Sequence, residues 1–228
     1  MGAEISQESD IPDNIDSYEK VLQKQWRHNV QVYDIDKDMT FISPMALNYA
    51  GILLDKTMKK YNITNLVVLE IMAGNGMASA FVRDKMNMNR VREWHRTDIL
   101  RYATNSYMTV ETMDSIEAIK NYGARSDLLI MICPPPGHLK FDNFETLGPN
   151  NSAYGDYYAC RNFINNADRV KYIVFIGELG ASDGSIGMYK YLMFHPKLCC
   201  ILRKIISMKE YCFGEPCNKE IFMFQIIG

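Results

Sequence analysis

The sequence predicts an α/β fold, a doubly wound and mostly parallel seven-stranded sheet with an antiparallel hairpin at its C-terminal edge. Short apolar runs (LVVLE at 66–70, DLLIMIC at 127–133, KYIVFIG at 171–177) are continuous rather than alternating, as in strands buried on both faces. Stretches of helical period separate them, and such alternation selects a parallel sheet covered by helices. Acids or turn residues close the runs (Glu70, Asp98, Asp114, Cys133-Pro134-Pro135, Glu178), at the carboxyl ends where these sheets bind ligands.

Taken in order, residues 1–16 are acidic and poor in large apolar groups, the composition of a flexible tail. Residues 17–228 read as one domain, of which 17–43 form an extension: a helix over 17–28 with Ser17 as N-cap, then a short strand at 30–33. Ser43-Pro44 opens a longer helix that ends in Lys56, Lys59 and Lys60, cations suited to a helix C-terminus. The first strand follows, then a crossover helix over 77–88, a second strand over 90–98 and a third over 107–113. A helix over 115–123 stops at Gly123, and the fourth strand ends at Pro134-Pro135-Pro136-Gly137, where proline cannot donate to a ladder. A polar loop of about 15 residues, longer than the usual connection of roughly 4–6, leads to a helix over 154–167 and the fifth strand. A helix over 188–194 precedes two last strands, 203–208 and 220–227, paired antiparallel at one edge.

Composition narrows the function. A net charge of −2 over 228 residues gives no general attraction to nucleic acid, and no apolar run spans a bilayer. Without a secretory leader, the six cysteines read as reduced thiols of a cytoplasmic protein. Met1-Gly2-Ala3-Glu4-Ile5-Ser6 fits the N-myristoylation pattern at Gly2, and peripheral membrane attachment is expected only through that lipid. His195, Cys199, Cys200, Cys212 and Cys217 offer only a C-x4-C spacing, so core thiols are preferred to a zinc site.

The chain is organised around NLVVLEIMAGNGMASA at 65–80: an apolar strand, the acid Glu70, the small-residue turn Ala73-Gly74-Asn75-Gly76, and a helix start. Glycine after a strand lets the backbone turn sharply and approach a ligand, and the helix start offers free N–H groups beside it. A dinucleotide fingerprint, G-x-G-x-x-G, needs a third glycine where Ser79 stands.

Glu70-Ile71-Met72-Ala73-Gly74-Asn75-Gly76 resembles motif I of the class I S-adenosylmethionine-dependent methyltransferases, with Met72 in place of the first glycine. The ordered acids Asp98 and Asp114, the Pro-Pro turn and the final edge pair extend that resemblance over residues 44–228. It implies S-adenosylmethionine as cofactor. Glu70 would lie near the methionine part, with Met72, Ala73, Gly74, Asn75 and Gly76 packed on the cofactor. Asp98 would bind the ribose hydroxyls, with Glu93 the weaker alternative, Asp114 the adenine amino group with Met113 or Ser115 against the ring, and Cys133 would be a further cofactor-binding residue.

The acceptor side departs from that family. Enzymes acting on planar amino groups carry Asn, Asp or Ser before Pro-Pro and an aromatic residue after it. Here Cys133 is a poor acceptor and Pro136 cannot stack, so adenine-N6 or glutamine methylation is not supported. Pro134, Pro135, Pro136, His138, Tyr154 and Glu178 remain as substrate-side candidates, His138 because its imidazole titrates near neutrality. Tyr157, Tyr158 and Arg161 can stack on a base and hold phosphate, or form core and rim. No catalytic residue is assigned; Cys133 as a nucleophile lacks a partner motif, and plain packing is the commoner use of such a cysteine. Two functions follow: methyl transfer to an unidentified acceptor, or a catalytically degenerate protein of the same fold serving as a structural or partner-binding module.

Overall fold

The computed structural model describes residues 42, 44–98, 107–134, 155–178, 183–212 and 215–227. The predicted tail, the elements at 17–33, Ser43, Gly2, Pro135, Pro136, His138 and Tyr154 lie outside the described residues. Helix α1 (Pro44–Lys60) leads into β1 (Leu66–Ile71), α2 (Met77–Asp84), a 3-10 turn (Met88–Arg90), β2 (Val91–Asp98) and β3 (Glu111–Thr112). The helix α3 (Ser115–Ala118) runs on as a π-turn (Ile119–Gly123), followed by β4 (Leu128–Ile132), α4 (Gly155–Asn165) and β5 (Lys171–Glu178). Helix α5 (Ile186–Phe194), β6 (Leu198–Cys212) and β7 (Glu215–Ile226) complete the order.

The seven strands lie in the order β3-β2-β1-β4-β5-β7-β6, parallel except for β7, which runs antiparallel to both β5 and β6. Continuous apolar runs occupy β1 and β4 because both faces of these strands are covered; every residue of each is buried. One face carries Leu66, Val68, Ile130, Val174 and Met223 under α1 and α2; the other carries Leu69, Ile71, Met131, Phe175 and Phe224 under the remaining helices. Helix α1 docks through Leu47, Ala50, Leu54 and Met58, all fully buried at three- and four-residue spacing. Shortening Leu54 to alanine would cost about 2–5 kcal/mol.

Four elements differ most in length from the sequence reading. The third strand shrinks to two residues, which pair only with Thr97 and Asp98. The crossover helix stops at Asp84, and the Lys85 backbone N–H returns to Arg83 and Val82 before the chain turns into β2. Strands β6 and β7 are far longer than predicted, extending to Cys212 and back from Glu215 as a two-stranded ribbon.

Candidate functional site

The sheet reverses its strand order between β1 and β4, and an open α/β sheet binds ligands beside the carboxyl ends at such a reversal. Two non-glycine residues there hold left-handed backbone: Met72 (φ 57°) after β1 and Cys133 (φ 45°) after β4. Each conformation costs a side-chain-bearing residue about 1–2 kcal/mol, and strain of this kind gathers at ligand sites. Met72 stands where the motif would have glycine, and it keeps the backbone shape that glycine would favour.

The turn after β1 is held by its own backbone. The Ala73 amide donates to the Thr97 carbonyl (3.0 Å), the Gly76 amide to the Ala73 carbonyl (3.0 Å), and the Met77 amide to Asn75 Oδ1 (3.1 Å). Gly74 is left-handed (φ 57°), its amide donates to Asp98 Oδ2 (2.9 Å), and a Cβ added there would meet no described residue within 4 Å. Gly76 is also left-handed (φ 78°), and a Cβ there would stand 3.0 Å from Met108. Among the described residues one glycine faces open space and the other a packed neighbour.

Asp98 ends β2 beside this turn, 9% exposed, and its carbonyl accepts from the Met113 amide (2.8 Å). Asp98, Gly74 and Met113 are thereby brought to one point. Asp114 caps α3, one carboxylate oxygen accepting from the Ile116 and Glu117 amides (2.9 and 2.8 Å). An N-cap of this type contributes about 1 kcal/mol, so the residue expected to meet an adenine is also what starts its helix. Ser115 behind it is buried, its hydroxyl 2.5 Å from where a Cβ on Gly155 would stand.

Glu70 has partners within the protein. Its side chain is fully buried on the α2 face, with Ser79 Oγ 2.6 Å from both carboxylate oxygens and Trp94 Nε1 donating at 3.0 Å. Arg96 Nε lies 3.8 Å away. Burial raises the Glu70 pKa, opposed by Ser79, Arg96 and Trp94. The carboxylate therefore ties the end of β1 to the first turn of α2 beneath the loop. Ser79, which rules out the dinucleotide fingerprint, is its partner.

The β4 side is built from buried charge that the sequence reading missed. Asp183 Oδ2 accepts from Lys219 Nζ (2.6 Å) and from the Glu178 amide (2.5 Å), both ion-pair side chains being at most 1% exposed. Burial pulls the Lys219 pKa down, but Asp183 above all, with Cys133 and Glu178, carries it well above the ordinary lysine value. The Gly184 amide donates to the Pro134 carbonyl (2.6 Å), and the Tyr189 hydroxyl to the Glu178 carbonyl (2.7 Å). Asp156, at the start of α4, accepts from the Ser185 amide (2.5 Å) and the Tyr157 amide (2.7 Å); burial first pushes its pKa up to about 6. Burial, then the charge of Asp183, pushes the Cys133 thiol well above its ordinary range, so it is held protonated and unsuited to nucleophilic attack. Tyr157 and Tyr158 meet edge to face with centroids 5.2 Å apart, Tyr158 in the core.

Among the described residues no cluster of His, Cys, Asp and Glu could hold a metal ion, and Cys199 and Cys200 are exposed on β6. No described helix is long and apolar enough to cross a membrane.

No family model and no curated relative matches the sequence. Solved structures match in shape. The 1,6-didemethyltoxoflavin-N1-methyltransferase of Burkholderia thailandensis aligns with a TM-score of 0.51 at 10% identity, over 96% of this chain and 93% of that one. The chain has a methyltransferase-like α/β fold. Magnesium protoporphyrin IX methyltransferase from Synechocystis PCC 6803 (TM-score 0.46, 12% identity, 95% and 100% coverage) is also similar. So is an rRNA methylase from Streptococcus thermophilus (TM-score 0.47, 9% identity, 83% and 99% coverage). At these identities the likeness concerns the fold.

Proposed function

We propose that this protein binds S-adenosylmethionine at the turn after β1 and transfers its methyl group to an acceptor seated over β4 and β5. The observation that carries the reading is Gly74, a left-handed residue with space beside it among the described residues, whose amide is fixed by the carboxylate of Asp98 at the sheet's reversal point. A cradle that an added Cβ would fill fits a ligand lying close to the backbone. The Burkholderia thailandensis enzyme of similar fold is described with bound S-adenosylhomocysteine.

In this reading Ala73, Gly74, Asn75 and Gly76 hold the cofactor through their backbone, with Met72 beside them, and Asp98 takes the ribose hydroxyls. Asp114 and Met113 flank the adenine. When bound, the cofactor supplies an electrophilic methyl carried on a sulfonium. The chain's part is to position the acceptor in line with it, which in such reactions supplies much of the rate. Pro134, Cys133 and Glu178 border the acceptor side, with Pro135, Pro136, His138 and Tyr154 as further candidates. Gly2 remains a lipidation candidate, and cytoplasmic residence belongs to the same proposal. Isothermal titration of the folded protein with S-adenosylmethionine and S-adenosylhomocysteine tests the reading: saturable heats are expected, and no heat with either rejects it.

A second reading, a non-catalytic module on the same fold, is favoured by the sealed ion pair and the protonated thiol of Cys133 at the acceptor side. Cofactor binding with no methyl label transferred to nucleic acid, protein or small-molecule pools would select it.

A further inference from the structure

A cleft of about 380 Å³ opens on the α2 face of the sheet's β2 edge, lined by Arg83, Met88, Val91, Arg92, Glu93, Trp94 and Arg96. It lies along the body of β2, not at the carboxyl ends where the turn after β1 sits. Strand β3 pairs only with Thr97 and Asp98, so no described strand pairs with the outer edge of β2 over residues 91–96.

Arg96 is the decisive group. Its side chain is 8% exposed, yet its guanidinium makes one long hydrogen bond, from Nη1 to the Trp94 carbonyl (3.4 Å), and meets Glu70 only at 3.8 Å. Among the described residues its Nε, which is buried, has no hydrogen-bond partner. A guanidinium carries five donors, and a buried donor left unsatisfied costs about 1–3 kcal/mol. Nε is sealed from solvent on the Glu70 side, so an acceptor entering the cleft meets the guanidinium through its Nη groups. Arg83 lies close enough to lower the Arg96 pKa, after burial and against Glu70, and among the described residues it has no carboxylate partner. Arg92 meets only the exposed Glu93 at 3.7 Å, a contact that solvent screens. Two exposed cations thus flank a buried one. Apart from Glu93, the remaining wall is apolar: Met88, Val91 and Trp94 pack against the core, and Arg96 covers one face of the Trp94 ring at 4.9 Å.

We infer that this cleft binds a phosphate monoester carrying a flat apolar group. Guanidinium forks match the geometry and the double charge of a phosphate monoester, and the apolar wall takes the body of the same molecule.

Trp94 reports on the site, since Trp26 is the other tryptophan of the chain and can be replaced as Trp26→Phe. Titrating that variant with phenyl phosphate should give a saturable change in fluorescence, at concentrations at least about tenfold below those needed for phenol or benzoate. Raised salt should weaken it. Arg83→Glu with Arg92→Glu, both exposed positions, should abolish the response while the melting curve stays unchanged; the paired lysine variants should keep part of it. No saturable response overturns the inference. So does an equal response to phenol or benzoate, or a response that survives the double charge reversal.

Discussion

On the β1–β2 side of the crevice the polar contacts are backbone amides, donated to Thr97 and to the carboxylate of Asp98, and one glycine looks onto space left open among the described residues. On the β4–β5 side they are ionised or titratable side chains sealed from water: Asp183, Lys219 and Asp156 are each at most 2% exposed. The first side keeps its groups at the surface of a shaped turn. The second spends its polar groups on holding its own loop, tying residues 183–185 to Pro134, Glu178 and the start of α4. Ligand binding and loop stability should therefore separate cleanly between the two sides.

Four measurements break or sharpen that contrast. The largest expected effect is Gly74→Leu. An added Cβ meets no described residue within 4 Å, so the fold should survive with a loss of about 1–2 kcal/mol for the left-handed backbone, while S-adenosylhomocysteine binding by titration calorimetry should vanish. Retained binding would move the ligand off this turn.

Next is Lys219→Met, which leaves the Asp183 carboxylate buried without its cation. Denaturant unfolding should show a loss of about 3–5 kcal/mol, with most of it restored by adding Asp183→Asn. Cofactor affinity should hardly change, and a large parallel loss would show the two sides to be coupled.

The third concerns pH. The Asp156 carboxyl has its pKa raised from 3.8 to about 6 by burial, so between these values the folded protein binds more protons than the unfolded chain. Its contribution to stability is full below about pH 4 and falls as pH rises through 6, by about 3 kcal/mol. Asp156→Asn should flatten this part of the stability profile. A profile unchanged by the substitution would contradict the buried placement of the carboxyl.

The smallest effect is Met72→Gly, which should relieve left-handed strain and raise stability by up to about 1 kcal/mol, less what is lost where the Met72 terminal methyl approaches Gly155. A marked destabilisation would mean that this packing outweighs the strain.

The same contrast explains what the sequence made legible. The turn at Ala73, Gly74 and Gly76 and the acid Asp98 were readable because their chemistry is local: a strand, small residues, a strand-end carboxylate. The pair Asp183 and Lys219 stands 36 residues apart and meets only through the register of β5 on β7, where Glu178 faces Lys219. The contacts of Glu70 were not readable, because a strand places alternate side chains on opposite faces and nothing in the apolar run of β1 says which face lies under α2. The ribbon was cut short in the sequence because Lys209, Glu210, Pro216 and Lys219 resemble a loop; an edge ribbon tolerates both charge and proline.

That ribbon has a consequence for reach. Strand β7 pairs with β5 only from Lys219 onward, so residues 215–218 continue past the last residue of β5 while still paired with β6. At about 3.4 Å per residue this is an overhang of roughly 14 Å, pointing the way β5 points. It stands as a parapet along one margin of the crevice, with no described strand counterpart at the β2 margin. Any molecule entering from the β7 margin must clear it.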